Sequence, residues 1–359
     1  MVVKKRSITN KHLIVQHLKI LKSLQYPSGL FAASSKKVLT GYDKAWLRDN
    51  FYECLALEIT GEWGAVQKTY RALLNIFKKH EDKIDWAIRE KPKHKHQYIH
   101  ARFHPATFEE FWEDWGNKQN DAIGAILFKI GELEGIKKRF ILQTNDDIRV
   151  VQKLIHYLDS IEYWHDKDSG MWEEDEEIHA SSVGACVAGL KMIKKNTKIQ
   201  VPTQLINKGK NTLKLLLPRE SEKKFVDLSL LSLIYPYKIT TKKQTEHILN
   251  NIEYHLLKEK GVIRYKNDHY YNKNPDGKSE EAEWCFGLSW LSIIYANLGN
   301  TKKEKYYLDK AKDTETASGV PELYFSNTNK PNENTPLGWA ESLFVVALYD
   351  MNKKHMSVK

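Results

Sequence analysis

Apolar residues recur along this chain at the three- and four-residue spacing of helices buried on one side. Residues 10–25 show it first, with Leu13, Ile14, His17, Leu18, Leu21 and Leu24 on one stripe. Tyr26-Pro-Ser-Gly29 then punctuates the chain as a turn. Residues 46–60 and 62–83 repeat the helical pattern. It lapses between Trp86 and Trp115, where lysines, histidines and aromatics crowd together. A stretch this long without periodicity in a compact domain is usually a functional loop. Helical spacing resumes over 117–133, 146–164, 180–194, 201–217, 225–235, 242–257, 281–298, 302–314 and 336–351. That amounts to about twelve helices and no convincing sheet.

Twelve helices taken as antiparallel pairs can close into a ring, one helix of each pair inside and one outside. Long loops rich in Trp, Tyr, His, Arg and acids would then gather at one rim, the natural place for a site. No Pro-, Gly- or Ser-rich linker divides the chain, so residues 1–359 are expected to form one domain.

Composition narrows the function. The chain is 41% hydrophobic, enough to fill a core, with ten Trp and eighteen Tyr available for stacking on sugar rings or bases. Its net charge of +10 is spread as lysines along helices, without the one-sided patch or motif of a nucleic-acid binder. Cys54, Cys186 and Cys285 are scattered and odd in number, which argues against a disulfide framework. No signal peptide and no apolar span of membrane length are apparent, so a cytoplasmic protein without a membrane partner is expected.

The densest chemistry lies in residues 170–184. Trp172 is followed by Glu173, Glu174, Asp175, Glu176 and Glu177, and then by small residues that open an apolar helix. Such a run caps a helix with solvated charge, or it holds a carboxyl whose pKa is raised by like charges and an apolar neighbour. Four other loops have matching character. Trp46, Arg48 and Asp49 stand at one helix start, and Trp115, Gln119 and Asp121 at another. Arg264 and Tyr265 follow a short extended piece, with Asp268 and Tyr270 beyond them. Glu322 is a lone acid between Pro321 and Leu323, shortly before Pro336-Leu-Gly-Trp339. Glu173 and Glu322 therefore form a candidate acid and base for cleaving a glycosidic bond. His94 and His96 resemble a metal-ligand pair but lack a third ligand at a familiar spacing. Phosphate-binding and dinucleotide motifs are missing, and Ser181-Ser182 lacks a nucleophile elbow. No metal or cofactor is expected.

At these five loops the chain resembles glycoside hydrolase family 15, the glucoamylase family, over residues 28–349. The likeness is carried by Trp46-Leu-Arg-Asp49, Gln119-Asn-Asp-Ala122, Trp172-Glu173-Glu174, Arg264-Tyr265, Pro321-Glu322 and Pro336-Leu-Gly-Trp339. The resemblance implies an all-α (α/α)6 barrel. It implies Glu173 as general acid and Glu322 as general base, in an inverting, exo-acting release of β-glucose from an α-linked glucose oligo- or polysaccharide. Arg48, Asp49 and Arg264 would hold hydroxyls. Trp46, Trp115 and Trp172 would wall the pocket, with Gln119, Asp121, Glu174, Tyr265 and Trp339 around it. The chain is also similar to the amino-terminal region of the phosphorylase kinase α and β subunits, through His100-Ala-Arg102, His179-Ala-Ser-Ser-Val-Gly184, Leu215-Leu-Leu-Pro-Arg219 and Val320-Pro-Glu-Leu-Tyr324. Leu323 stands where glucoamylases more often have Gln. That second likeness implies the alternative of a non-catalytic, glucan-binding barrel. Neither a β-sandwich nor a starch-binding module is expected in this chain, nor is the kinase subunits' calmodulin-binding region.

Overall fold

The computed structural model describes residues 9–111, 113, 115–272 and 280–357. The extreme amino terminus, Trp112 and most of the polar loop expected at 269–279 lie outside these. Thirteen helices are found among the described residues. They are α1 (Asn10–Leu24), α2 (Leu47–Ile59), α3 (Trp63–Lys79), α4 (Glu81–Glu90), α5 (Asn120–Ile136), α6 (Asn145–Ser160), α7 (Ala180–Asn196), α8 (Thr203–Leu216), α9 (Leu231–Ile234), α10 (Lys242–His255), α11 (Phe286–Asn297), α12 (Thr301–Lys312) and α13 (Gly338–Ser357).

Six of them form a closed inner ring. α2 touches α5, α5 touches α7, α7 touches α9, α9 touches α11, α11 touches α13, and α13 returns to α2. The remaining helices pack outside, α1 on α13, α3 on α2, α8 on α7, α10 on α9 and α12 on α11, while α4 packs on α6. The molecule is an (α/α)6 barrel, the fold the family resemblance implied.

The two rings differ in sequence as their surroundings demand. Outer helices are amphipathic. In α1 only Leu13, His17, Leu21 and Leu24 are buried, one stripe at helical spacing. Four outer helices carry their own N-caps: Thr9, Thr144, Thr241 and Asn300 each accept from a backbone N–H three residues on. Inner helices are buried on all sides. In α7 the run from Ala180 to Leu190 is wholly buried. α5 and α7 approach closely because glycines face each other. A Cβ on Gly124 would meet the Ala185 carbonyl carbon at 2.4 Å, and one on Gly189 would meet the Gly124 oxygen at 2.5 Å.

The inner helices α2, α5, α7 and α11 have no side-chain N-cap of their own. Distant segments satisfy their first amides instead. Leu47 N donates to Ala101 O, Asn120 N to Asp168 Oδ2, and Ala180 N to Glu220 O. Gly338 N donates to Ala33 O. These starts all face the same end of the barrel, so the positive ends of several helix dipoles converge there.

Three expectations need correction. Residues 62–83 are not one helix: the chain breaks at His80, whose ring hydrogen-bonds the Phe108 carbonyl at 2.7 Å, and α4 then runs to Glu90. Residues 225–235 are mostly not helical. The Asp227 carboxylate takes Ser229 N, and Leu228 N pairs with Arg264 O, leaving only a tight turn and the short α9. Short strands also exist. β1 (Ala45–Trp46) pairs antiparallel with β2 (Arg102–Phe103), and β3 (Glu283–Trp284) with β4 (Leu323–Tyr324). Both pairs brace the rim where the inner helices begin. No helix among the described residues is long and apolar enough to cross a membrane.

Candidate active site

A cavity of about 320 Å³ opens at that rim. Its walls include Trp46, Arg48, Asp49, Trp115, Trp172, Glu173, Glu174, Arg264, Glu322 and Trp339, ten of the thirteen residues that the family resemblance implied, and Tyr270. The other three stand behind it. Gln119 and Asp121 hold the Arg48 guanidinium at 2.7 and 3.2 Å, and the Tyr265 hydroxyl donates to Glu174 at 2.5 Å. They position wall residues rather than line the cavity.

The floor is aromatic. Trp339 stacks on Tyr52 at 4.1 Å and on Phe286 at 4.6 Å, and Trp172 stacks loosely beyond. The Trp172 indole N–H is anchored on Asp227 at 2.9 Å. The rings leave a flat apolar surface edged by polar groups, which suits a sugar ring.

Glu173 occupies a left-handed backbone conformation, φ +66°, a strain the loop imposes at the cavity edge. The loop is pinned by Glu174 N to Ser169 O and by close packing of Gly116 on the Glu173 carbonyl. The carboxylate takes a 2.9 Å hydrogen bond from Arg48 Nη2. Burial pushes Glu173 up to about 7; Arg48 pulls the other way and Asp49 reinforces the rise. Its sequence neighbours do not produce the shift. Glu174 is turned to Arg264, Lys224 and Tyr265, which outweigh burial and hold it below the usual carboxylate range. Asp175 is exposed. Nor does the run cap α7, because Glu220, arriving from another loop, takes Ser181 N and the Ser181 hydroxyl.

Asp49 faces the cavity with its pKa raised to about 6 by burial, against the pull of Arg48. Arg264 is locked by Asp268 through Nε and Nη2 at 2.7 and 2.6 Å, and by Glu174 at 2.8 Å. The guanidinium lies over the Trp284 ring at 4.8 Å.

Glu322 comes from the opposite wall and is 2% exposed. Oε1 accepts from the Tyr42 hydroxyl at 3.0 Å, and Oε2 from the amides of Asn332 and Asn334 at 2.6 and 2.7 Å. Burial raises its pKa, while these three hydrogen bonds favour the ionised form.

Residues 9–348 match the profile of the glycosyl hydrolases family 15. The chain belongs to that family. Among relatives of this family 15 barrel, the skeletal-muscle phosphorylase b kinase regulatory subunit α of Rattus norvegicus is 25% identical over 93% of the chain. The chain spans only 32% of that subunit's length. An uncharacterised glycosyl hydrolase of Methanocaldococcus jannaschii is 26% identical over 66% of the chain and 42% of its own length. A glycosidase variant solved in complex with glucose superposes with a TM-score of 0.81, at 16% identity, over 96% of this chain and 97% of that one. That likeness is one of fold.

Several wall residues of the family 15 barrel escaped the sequence reading. Tyr42 reaches the cavity from a loop without periodicity. Trp284 stands on β3, inside a stretch that looked helical. Arg102, on β2, lies over the Trp115 ring at 4.5 Å and pairs with Glu113. Of residues 94–104 it is the one that lines the cavity. His94 and His96 stack with each other 5.8 Å apart, and no group of three or more His, Cys, Asp or Glu able to hold a metal ion occurs among the described residues.

Proposed function

We propose that this protein is an inverting, exo-acting α-glucosidase of the glucoamylase type. One observation carries the reading: two carboxylates from opposite walls face one small aromatic cavity, one held by a guanidinium and the other by neutral donors. Glu173 titrates near 7, so near neutral pH a large fraction carries the proton needed by a leaving glycosidic oxygen. Glu322 is solvated by three donors, which suits a base that takes a proton from water on the other face of the sugar. Arg48, Asp49 and Arg264 bind hydroxyls of the terminal glucose, and Trp46, Trp115 and Trp172 exclude water around the ring. The glucose in the similar glycosidase supports a glucose-sized occupant, as does the limited volume. Short α-glucans and glycogen ends are the substrates, acted on in the cytoplasm.

Proton NMR of maltotetraose incubated with the protein tests this, because it resolves the anomers as they form. Early β-glucose, lost in Glu173→Gln and in Glu322→Gln, supports the enzyme. Early α-glucose would sink inversion.

A second reading, a barrel that holds glucan without cleaving it, is favoured by the phosphorylase kinase relatives and by the Arg48–Glu173 ion pair, which stabilises the charged form of the intended acid. Saturable maltotetraose binding by calorimetry with no glucose released would establish it.

A further inference from the structure

Glu322 is held by more than its cavity neighbour Tyr42. The chain after it turns back on itself: Asn332 N donates to Leu323 O, Glu322 N donates to Asn334 O, and Phe325 N closes on Lys330 O. This hairpin returns two asparagines to the carboxylate that starts it. Asn332 is 4% exposed and Asn334 is fully buried. Both donate to the same oxygen, Oε2, at 2.6 and 2.7 Å. The orientation of Asn334 is set from outside, because Thr40 Oγ donates to its Oδ1 at 2.6 Å and so turns the NH2 group toward Glu322.

We propose that Asn332 and Asn334, the latter oriented by Thr40, form an amide clamp that positions Glu322 and keeps it ready to accept a proton; this rests on the glycosidase reading above. An ionised carboxylate offers about four acceptor positions. The clamp fills both positions on Oε2 and Tyr42 fills one on Oε1. One position on Oε1 remains, so the clamp decides which oxygen takes the water's proton. It also solvates the charge on the Oε2 side, and burial alone would leave Glu322 protonated over more of the pH range. Asn332 and Asn334 touch the base rather than the sugar, so they act on turnover and not on substrate binding.

The test uses Asn332→Leu, Asn334→Leu and Thr40→Val in the full chain, with maltotetraose as substrate. Turnover falls roughly 10- to 100-fold in each asparagine variant, KM stays nearly constant, and the acid limb of kcat/KM moves to higher pH. Thr40→Val shifts the same limb less, and Asn332→Ser, which keeps a donor, recovers part of the rate. Isotope-edited infrared titration of the Glu322 carboxylate, assigned with Glu322→Gln, gives the same shift without relying on turnover. It also answers where Asn334→Leu does not fold, through Asn332→Leu and Thr40→Val. Unchanged kcat and an unmoved Glu322 titration in folded Asn332→Leu and Thr40→Val overturn the clamp while leaving the glycosidase standing. A wild-type protein that binds maltotetraose but releases no glucose overturns the glycosidase reading; the infrared shift then still reports whether the clamp sets the ionisation.

Discussion

Glu173 reaches the cavity on a strained loop and meets a guanidinium; Glu322 reaches it on a hairpin and meets two amides and a hydroxyl. The residue types are identical, and both carboxyls are pushed up by burial. What separates them is the kind of help each charge receives. With the Arg102 charge nearby, Glu173 has one hydrogen-bonded cationic partner, Arg48, which is itself shared with Asp121 and Gln119. A ligand entering the pocket can compete for that partner. Glu322 has neutral donors, and two of them, Asn332 and Asn334, are returned by the hydrogen-bonded hairpin that follows it and lie behind the cavity wall, out of a ligand's reach. Glu173 therefore leans on a charged donor, and Glu322 on neutral donors that favour its ionised form against the upward push of burial. Identical side chains thus acquire different chemistry from second contacts, not from their neighbours in sequence.

The largest expected break in this contrast is removal of either carboxyl. Glu173→Gln and Glu322→Gln each lower turnover by roughly 10²–10⁴-fold, measured as glucose release, with circular dichroism unchanged. Next comes Arg48→Met. It leaves Asp121, 2% exposed, as a buried charge without its guanidinium, and costs about 3–5 kcal/mol in chemical denaturation. The same variant releases the downward pull on Glu173, so the basic limb of activity moves above its wild-type position near pH 7. The pH dependence of stability sharpens the assignment. Because the folded pKa of Glu173 is raised, the native protein holds a proton that the unfolded chain gives up between the ordinary carboxylate value of 4.5 and about 7. Stability therefore declines as pH rises through that window. Glu173→Gln flattens the decline, as read from denaturation midpoints across pH. The smallest effect belongs to Tyr265→Phe. It removes one hydroxyl from Glu174, which keeps Arg264 and Lys224, so stability falls by about 1 kcal/mol and KM rises only slightly.

Much of the barrel was legible in the chain because outer helices write their orientation locally. The stripe of α1 and the Thr144–Asp147 capping box of α6 need no knowledge of the rest of the molecule. The inner ring was legible only as apolar helices, since a helix buried all round has no face to read. Errors fell where a distant group claimed the backbone: Arg264 took Leu228 out of a helical pattern, and Glu322 O paired with Cys285 N just before α11. In the site, tryptophans and acids at helix starts were readable because those residue types are costly to place together without a purpose. Gln119, Asp121 and Tyr265 were readable as members of the site but not as props behind its wall. Asn332 and Asn334 gave no signal, since two asparagines in a polar loop look like turn residues.

By itself the sequence determined that the chain is built of helices and which stretches would bear chemistry, because hydrophobic spacing and residue type are local properties. The tertiary structure decided how those pieces act on one another. The inner helices receive their caps from Ala101, Asp168, Glu220 and Ala33. The acidic run after Trp172 divides into one carboxyl near pKa 7 and one tied down by Arg264. Both outcomes depend on desolvation and on charges brought close from elsewhere in the chain, and those energies exist only once the ring has closed.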